Sequence, residues 1–180
     1  MTTNEEPTPT DPAAPETSDS WRGLRFLLGN WTGEGGEVGA GGEPTTSGSG
    51  WFSFALDLQD NIIVRKNHAH YPATSEKPAY DHDDLMIIYR DQAPARLRAI
   101  YCDNESHVIE YDVATSGKSP STLVVKFTSL PSDLRCGFRL TYVGTDDSHL
   151  TLKFEFAAPG AAQHFSPYME AQCRRSDDNS

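Results

Sequence analysis

Apolar and polar residues alternate with a period of two along most of this chain, between short segments of turn-forming residues. Such alternation is typical of β-strands that have one buried face and one face in water. The pattern predicts an all-β protein of ten strands, over residues 31–37, 48–56, 61–71, 84–90, 96–102, 107–114, 122–129, 138–144, 149–157 and 166–174.

One short segment, residues 21–28, lacks this alternation and predicts a helix. Ser20 can cap it, Gly29 can end it, and four apolar residues share one face at helical spacing: Trp21, Leu24, Leu27 and Leu28. A helix of about two turns is not stable alone. We therefore expect this segment to act as an N-terminal plug that packs on a larger structure.

The links between the predicted strands are mostly short, so neighbouring strands are expected to pair as antiparallel hairpins. Such a meander can form either a sandwich or a closed up-and-down β-barrel. The barrel is favoured because closing the sheet removes both of its exposed edges. A barrel of this strand number is wider than its side chains can fill, so a cavity is expected inside it.

The ends of the chain differ from its middle. Residues 1–19 form an acidic, Pro/Thr-rich segment without an aromatic residue, and residues 176–180 are also polar. Such segments cannot bury enough apolar surface to offset the entropy lost on ordering, so both are predicted to be disordered tails. Residues 20–175 are predicted to form a single β-barrel domain.

The net charge limits the classes of partner. The chain has 15 Lys and Arg against 26 Asp and Glu, a formal charge of -11, which argues against nucleic acid and anionic membranes as partners. No apolar run approaches the roughly 20 residues of a membrane-spanning helix. The polar N-terminus argues against a secretory signal, so a cytoplasmic location is expected. Cys102, Cys136 and Cys173 have neither disulfide-framework nor zinc-site spacing.

Candidate ligand-binding residues lie on three of the predicted strands. Arg65 and Asn67 alternate with Ile62 and Val64, and the pattern leaves open which pair faces the interior. An inward Arg65 would need a charged partner or an anionic ligand group. Tyr101, His107 and Tyr111 would place phenol and imidazole groups among apolar walls, as ligand pockets do; for His107 a turn position is the alternative.

Two further groups of residues leave alternatives open. His82 and Asp84 could begin a metal site, but without a third ligand at a defined spacing a hydrogen bond at the barrel mouth is favoured. On the last predicted strand, alternation sends the apolar residues inward and Tyr168 outward. An inward Glu170 could instead pair with an inward Arg65.

The run Leu-Leu-Gly-Asn-Trp-Thr-Gly-Glu-Gly over residues 27–35 resembles the entrance motif of the nitrobindin-like, fatty-acid-binding-protein-like calycin β-barrels. The similarity spans roughly residues 21–175 and is greatest to an uncharacterised bacterial branch. It implies that Trp31 closes the barrel floor, with ligand contact as the alternative. The family's members bind b-type haem through a histidine on the final strand, and Tyr168 stands at that position here. Tyrosinate can also ligate haem iron.

These observations support three hypotheses. The first is an intracellular β-barrel that binds a small apolar or amphipathic molecule, as a carrier or sensor. The second is a nitrobindin-like haem protein with nitric oxide or peroxynitrite chemistry, and the third is a structural or protein-interaction barrel with a filled core. No catalytic motif indicates a reaction, and homodimer formation is left open. Under the first hypothesis, at least three of five residues should point into one cavity, close to a common ligand atom or water: Arg65, Asn67, Tyr101, His107 and Tyr168.

Overall fold

The computed structural model describes residues 21–34, 49–75, 77–92, 95–117, 122–133, 135–161 and 164–176. The predicted disorder of residues 1–19 and 177–180 falls outside these ranges, as do Ser20 and residues 35–37 of the first predicted strand.

Ten β-strands are present in the described residues, as the alternation predicts. They are β1 (Gly29–Gly33), β2 (Ser49–Asp57), β3 (Ile62–Tyr71), β4 (Tyr80–Gln92), β5 (Ala95–Asp103), β6 (Val108–Ser116), β7 (Val124–Thr128), β8 (Gly137–Gly144), β9 (His149–Ala157) and β10 (Ser166–Ser176). Ser176, which the sequence assigned to the C-terminal tail, is the last residue of β10.

The strands form one closed barrel in which each strand pairs with its neighbours in sequence and β10 pairs with β1. All ten pairings are antiparallel. In the closing pair, Trp31 on β1 stands opposite Arg175 on β10, and on its other side it stands opposite Phe52 of β2. The predicted up-and-down barrel is confirmed, and the ring leaves neither β1 nor β10 as an open edge.

The predicted plug helix is present only as a short 3₁₀ helix, and the segment closes one end of the barrel. Residues 21–24 form turns, and only Arg25–Leu27 form a short 3₁₀ helix, whose N-cap has no side-chain hydrogen bond. A helix of about two turns has too little stability of its own to form without a cap. The packing of its side chains therefore determines the backbone conformation of residues 21–28. Trp21, Leu24 and Leu27 are all buried against the barrel. Within the described residues, no helix is long and apolar enough to cross a bilayer.

Aromatic rings fill the half of the barrel next to this plug, which we call the floor half. The ring of Tyr142 has the rings of Phe52, Phe54 and Phe127 edge-on around it, with centroids 5.8, 5.5 and 5.9 Å away. Tyr111 extends the cluster from Phe127 at 6.3 Å. Edge-to-face contacts are favourable between aromatic rings. The filled floor half confines any cavity to the other half, towards the end that we call the mouth, formed by residues 71–75, 77–80 and 103–108.

Candidate functional site

A cavity of about 610 Å³ occupies the mouth half of the barrel. Small-molecule sites commonly measure about 300–1,000 Å³. The cavity extends from Arg65 and Tyr111, next to the aromatic floor, to Tyr71, Tyr80 and His107 at the mouth. Its size and depth suit a small molecule inserted along the barrel axis.

One wall of the cavity is apolar. It is built by inward-facing residues of β8, β9 and β10: Phe138, Leu140, Leu152, Phe154, Met169, Ala171 and Cys173. Burial raises the pKa of the Cys173 thiol to about 12, so this sulfur is a neutral part of the wall at physiological pH. The wall therefore offers an apolar ligand surface without a charge.

The opposite wall, on β3, β4 and β5, is polar. Its deepest residue is Arg65, which forms an ion pair with Asp84 of the next strand. Both side chains are only 4% exposed. Burial opposes the charge of Arg65, but Tyr142 and Asp84 outweigh it and raise the pKa of Arg65 above its ordinary value. Arg65 therefore faces inward and stays cationic.

Nearer the mouth, a chain of hydrogen bonds continues along the polar wall. His82 contacts the Tyr101 hydroxyl through Nε2 at 3.1 Å and Glu105 through Nδ1 at 3.2 Å. The Tyr101 hydroxyl donates to Asp103 Oδ2 at 3.2 Å, and His107 Nδ1 lies 2.8 Å from the same oxygen. Aromatic, imidazole and carboxylate groups are thus held in fixed positions along one side of the cavity.

This network determines the protonation of its members. Hydrogen bonds to Asp84 and then Glu105 outweigh burial and raise the pKa of His82. Burial raises the pKa of Tyr101, with a further contribution from Asp84, so the phenol remains a hydrogen-bond donor. Asp103 is also desolvated, but hydrogen bonds from His107 outweigh this effect and lower its pKa. The phenol of Tyr101 is therefore neutral beside a carboxylate at neutral pH.

Most of the candidate residues lie around this one cavity. Its lining includes Arg65, Asn67, Tyr101, His107, Tyr111 and Tyr168. The inward orientation of Arg65 settles the face of β3 that the sequence left open. His107 has a side chain that is 56% exposed and lies in the turn before β6. This turn position is the alternative that the sequence offered to a place among the apolar walls.

Trp31 lies outside the cavity lining and is buried at the floor. Its indole nitrogen donates to the Leu27 carbonyl at 2.8 Å, and its ring stacks on Phe52 with centroids 6.3 Å apart. The position agrees with a structural floor rather than with direct ligand contact.

The pairing of Glu170 with Arg65, which the sequence left open, does not form. Glu170 faces outward and forms an ion pair with Lys153 at 3.0 Å, whereas Arg65 takes Asp84 as its partner. The strand period explains this outcome, because Met169 and Ala171 occupy the inward positions on either side of Glu170.

Tyr168 faces the cavity because of a β-bulge. The register of β10 against β9 shifts between Pro167 and Met169, so Tyr168 is the extra residue. Its ring therefore contacts Phe154 and Phe156 edge-on while the neighbouring Met169 also lines the cavity. Simple alternation, which assigned Tyr168 to the outside, cannot include such an insertion.

Two acidic residues of the site were missed by sequence reasoning. Asp103 and Glu105 both line the cavity, in or next to the β5–β6 turn. The sequence pattern places Asp103 only in the link between the predicted strands 96–102 and 107–114. Its signal was local, since an Asp before a turn commonly accepts backbone N–H groups. It does so from Glu105 and His107, at 3.0 and 2.9 Å.

Neither a metal ion nor haem b fits the side chains of the site. Within the described ranges, no three His, Cys, Asp or Glu side chains are grouped to hold a metal, and His82 lies 3.5 Å from Asp84 in an ion pair. Tyr168, at the haem-ligand position of the resemblance, has no hydrogen bond or ion pair to a basic described residue. Haem propionates entering the mouth would also meet the carboxylates of Asp103 and Glu105.

Comparisons with known proteins support the fold. No protein-family model and no curated protein matches the chain. Among solved structures, the crystal structure of Rv2717c from M. tuberculosis is similar, with a TM-score of 0.59 and 12% sequence identity. The match covers 88% of this chain and 98% of that chain. At this identity the likeness concerns the fold alone, and the chain has the closed ten-stranded antiparallel β-barrel as its described architecture.

Proposed function

We propose that the protein binds a small amphipathic molecule inside its barrel, as a carrier or a sensor. The observation that carries this proposal is the division of the cavity into two unlike walls. In the closed ring of strands β9 lies directly across from β4, so the apolar wall faces the polar one. A ligand with one apolar and one polar side has a complementary surface for each.

The difference in packing between the two halves of the barrel argues against a purely structural role. The floor half is packed with aromatic and aliphatic side chains, which is sufficient for a stable core. The mouth half retains a cavity of about 610 Å³ lined by ordered polar groups. Polar side chains that face a cavity give up part of their hydration, and a bound ligand can replace it.

Binding can be tested with a neutral, polarity-sensitive dye such as Nile red and a variant that fills the cavity. Ala171 and Gln172 are neighbours on β10, but Ala171 lines the cavity and Gln172 is exposed outside it. We expect saturable dye binding to the unsubstituted protein. Ala171→Phe should weaken this binding by about tenfold or more, because the new ring occupies ligand volume.

Gln172→Phe is the matched control, since it adds the same ring to the outer face of the same strand. Its dye affinity should equal that of the unsubstituted protein. No saturable binding, or an equal loss in both variants, would contradict the proposal. A Soret band on addition of hemin that disappears in Tyr168→Phe would favour the haem hypothesis instead.

A further inference from the structure

The basic side chains of the polar wall already contact its carboxylates. Arg65 is paired with Asp84, His82 Nδ1 lies 3.2 Å from Glu105, and His107 Nδ1 lies 2.8 Å from Asp103. Among the described residues that line the cavity, Arg65, His82 and His107 thus each contact a carboxylate. A charged ligand would have to disrupt one of these pairs.

An anionic head group is disfavoured by this arrangement. To reach Arg65 as an ion-pair partner it must displace Asp84, whose side chain is 4% exposed and would be left buried with only His82, 3.5 Å away, as a partner. On its way it passes Asp103 and Glu105, which have the same sign of charge. A cationic head group meets the opposite difficulty, because Arg65 and His82 already hold the carboxylates that it would need.

The guanidinium of Arg65, at the deep end of the cavity, nevertheless has more N–H donors than the one that Asp84 uses. Among the described residues, Arg65 Nε has no hydrogen-bond partner. Arg65 is 3% exposed and Tyr142 is fully buried. The Tyr142 phenol lies next to the guanidinium and raises the pKa of Arg65 through electrostatic and hydrogen-bonding contact, but Arg65 Nε keeps no partner of its own. A buried donor without an acceptor is unfavourable, so this position favours a ligand that brings an acceptor.

We propose that the ligand is an uncharged amphiphile whose carbonyl, ether or hydroxyl oxygen accepts a hydrogen bond from the guanidinium of Arg65. A neutral oxygen satisfies this donor and leaves the ion pair between Arg65 and Asp84 intact. The apolar part of the molecule lies against β8, β9 and β10. This inference rests on the proposed function and narrows the ligand class within it.

The charge preference can be measured with three probes of equal chain length: 2-dodecanone, dodecanoate and dodecylammonium. Each is titrated against the Nile red complex of the full chain at neutral pH, below the concentrations at which the ions form micelles. We expect 2-dodecanone to displace the dye at a concentration about tenfold lower than either ion. Equal or stronger displacement by dodecanoate or dodecylammonium would overturn the inference.

A double variant tests the role of Arg65. Arg65→Met together with Asp84→Leu removes both partners of the buried pair, which avoids leaving one charge uncompensated. Dodecane, an apolar probe of the same chain length, should bind the unsubstituted protein more weakly than 2-dodecanone does. We expect the double variant to bind the dye but to lose this preference for 2-dodecanone over dodecane. A preference that persists would show that Arg65 does not hold the ligand oxygen.

The control is the double variant Arg139→Met and Glu155→Leu. This pair also crosses two neighbouring strands, at 3.4 Å, and Arg139 Nε is also without a partner, but neither residue lines the cavity. The preference for the ketone should survive in it. If no probe and no dye binds the unsubstituted protein, the proposed function itself fails. If an ion binds best, only the inference about ligand charge fails.

Discussion

The indole of Trp31 joins the plug to the barrel. It donates to the Leu27 carbonyl at 2.8 Å, stacks on Phe52, and lies under the guanidinium of Arg175, whose Cζ is 4.3 Å from the ring centroid. Its 1% exposure means that truncation would leave a cavity at the centre of the floor. These contacts make Trp31 a stability residue rather than a ligand residue.

Trp31→Ala is therefore expected to lower the free energy of unfolding by about 3–5 kcal/mol. Trp51→Ala, at a position that is 45% exposed, should cost about 0.5 kcal/mol or less. Urea denaturation of both variants measures the difference. Similar losses in the two would contradict the assignment of Trp31 to the floor.

His82 should make the stability depend on pH. Its pKa is raised in the folded protein by hydrogen bonds to Asp84 and Glu105, so folding favours its protonated form. This stabilisation is fully present below the ordinary value of 6.5 and is lost as the pH rises through the higher folded pKa.

The comparison with His82→Gln isolates this contribution. The difference in unfolding free energy between the unsubstituted protein and the variant should be largest in mildly acidic solution and should shrink as the solution becomes alkaline. Urea titrations over this pH range measure it. A difference that stays constant with pH would mean that the protonation of His82 is not linked to folding.

Strand β10 contacts several segments that are distant from it in sequence. It closes the ring against β1, and its Arg175 also reaches the plug and the β8–β9 turn. The guanidinium donates to the carbonyl oxygens of Phe26 at 2.9 Å and Asp147 at 3.0 Å, and also to that of Leu28. One side chain thereby connects three separate segments at the floor.

Arg175→Met is expected to cost about 2–3 kcal/mol, because it leaves carbonyl groups without their charged donor. The adjacent Arg174 offers a matched control. It forms an exposed ion pair with Glu34 at 2.9 Å, with side chains 57% and 41% exposed, so Arg174→Met should cost less than about 1 kcal/mol. Equal losses in urea denaturation would show that the contacts of Arg175 contribute no more than a surface charge.

The elements also show where sequence patterns succeed and fail. The period of two located every strand to within a few residues because one face of each strand is buried. It failed at Tyr168, where a bulge adds a residue, and at residues 21–28, where packing rather than helical propensity determines the backbone. Neither the bulge nor the packing of residues 21–28 changes which residues are apolar and which are polar. Neither can therefore be recognised from the period of the sequence.

For the molecule as a whole, the closed barrel and its cavity were predictable, but the chemistry inside the cavity was only partly so. Alternation gave two faces for β3 without saying which was internal, and it left Glu170 only as a possible partner of an inward Arg65. The actual partner is Asp84 of β4, which stands opposite Asn67 of β3 and therefore diagonal to Arg65. This register follows only from the folded sheet. The disorder of residues 1–19 remains a prediction, because these residues lie outside the described ranges.

The pairing of β1 with β10 has a consequence for how the protein is made. Trp31 and Arg175 stand opposite each other although almost the whole barrel separates them in sequence. Hairpins such as β3–β4 can form while the chain leaves the ribosome, but the ring cannot close before β10 emerges. Until then β1 and β9 each have one edge without a partner strand. The nascent chain is most prone to aggregate in this interval. Chaperone demand should therefore peak just before β10 is synthesised.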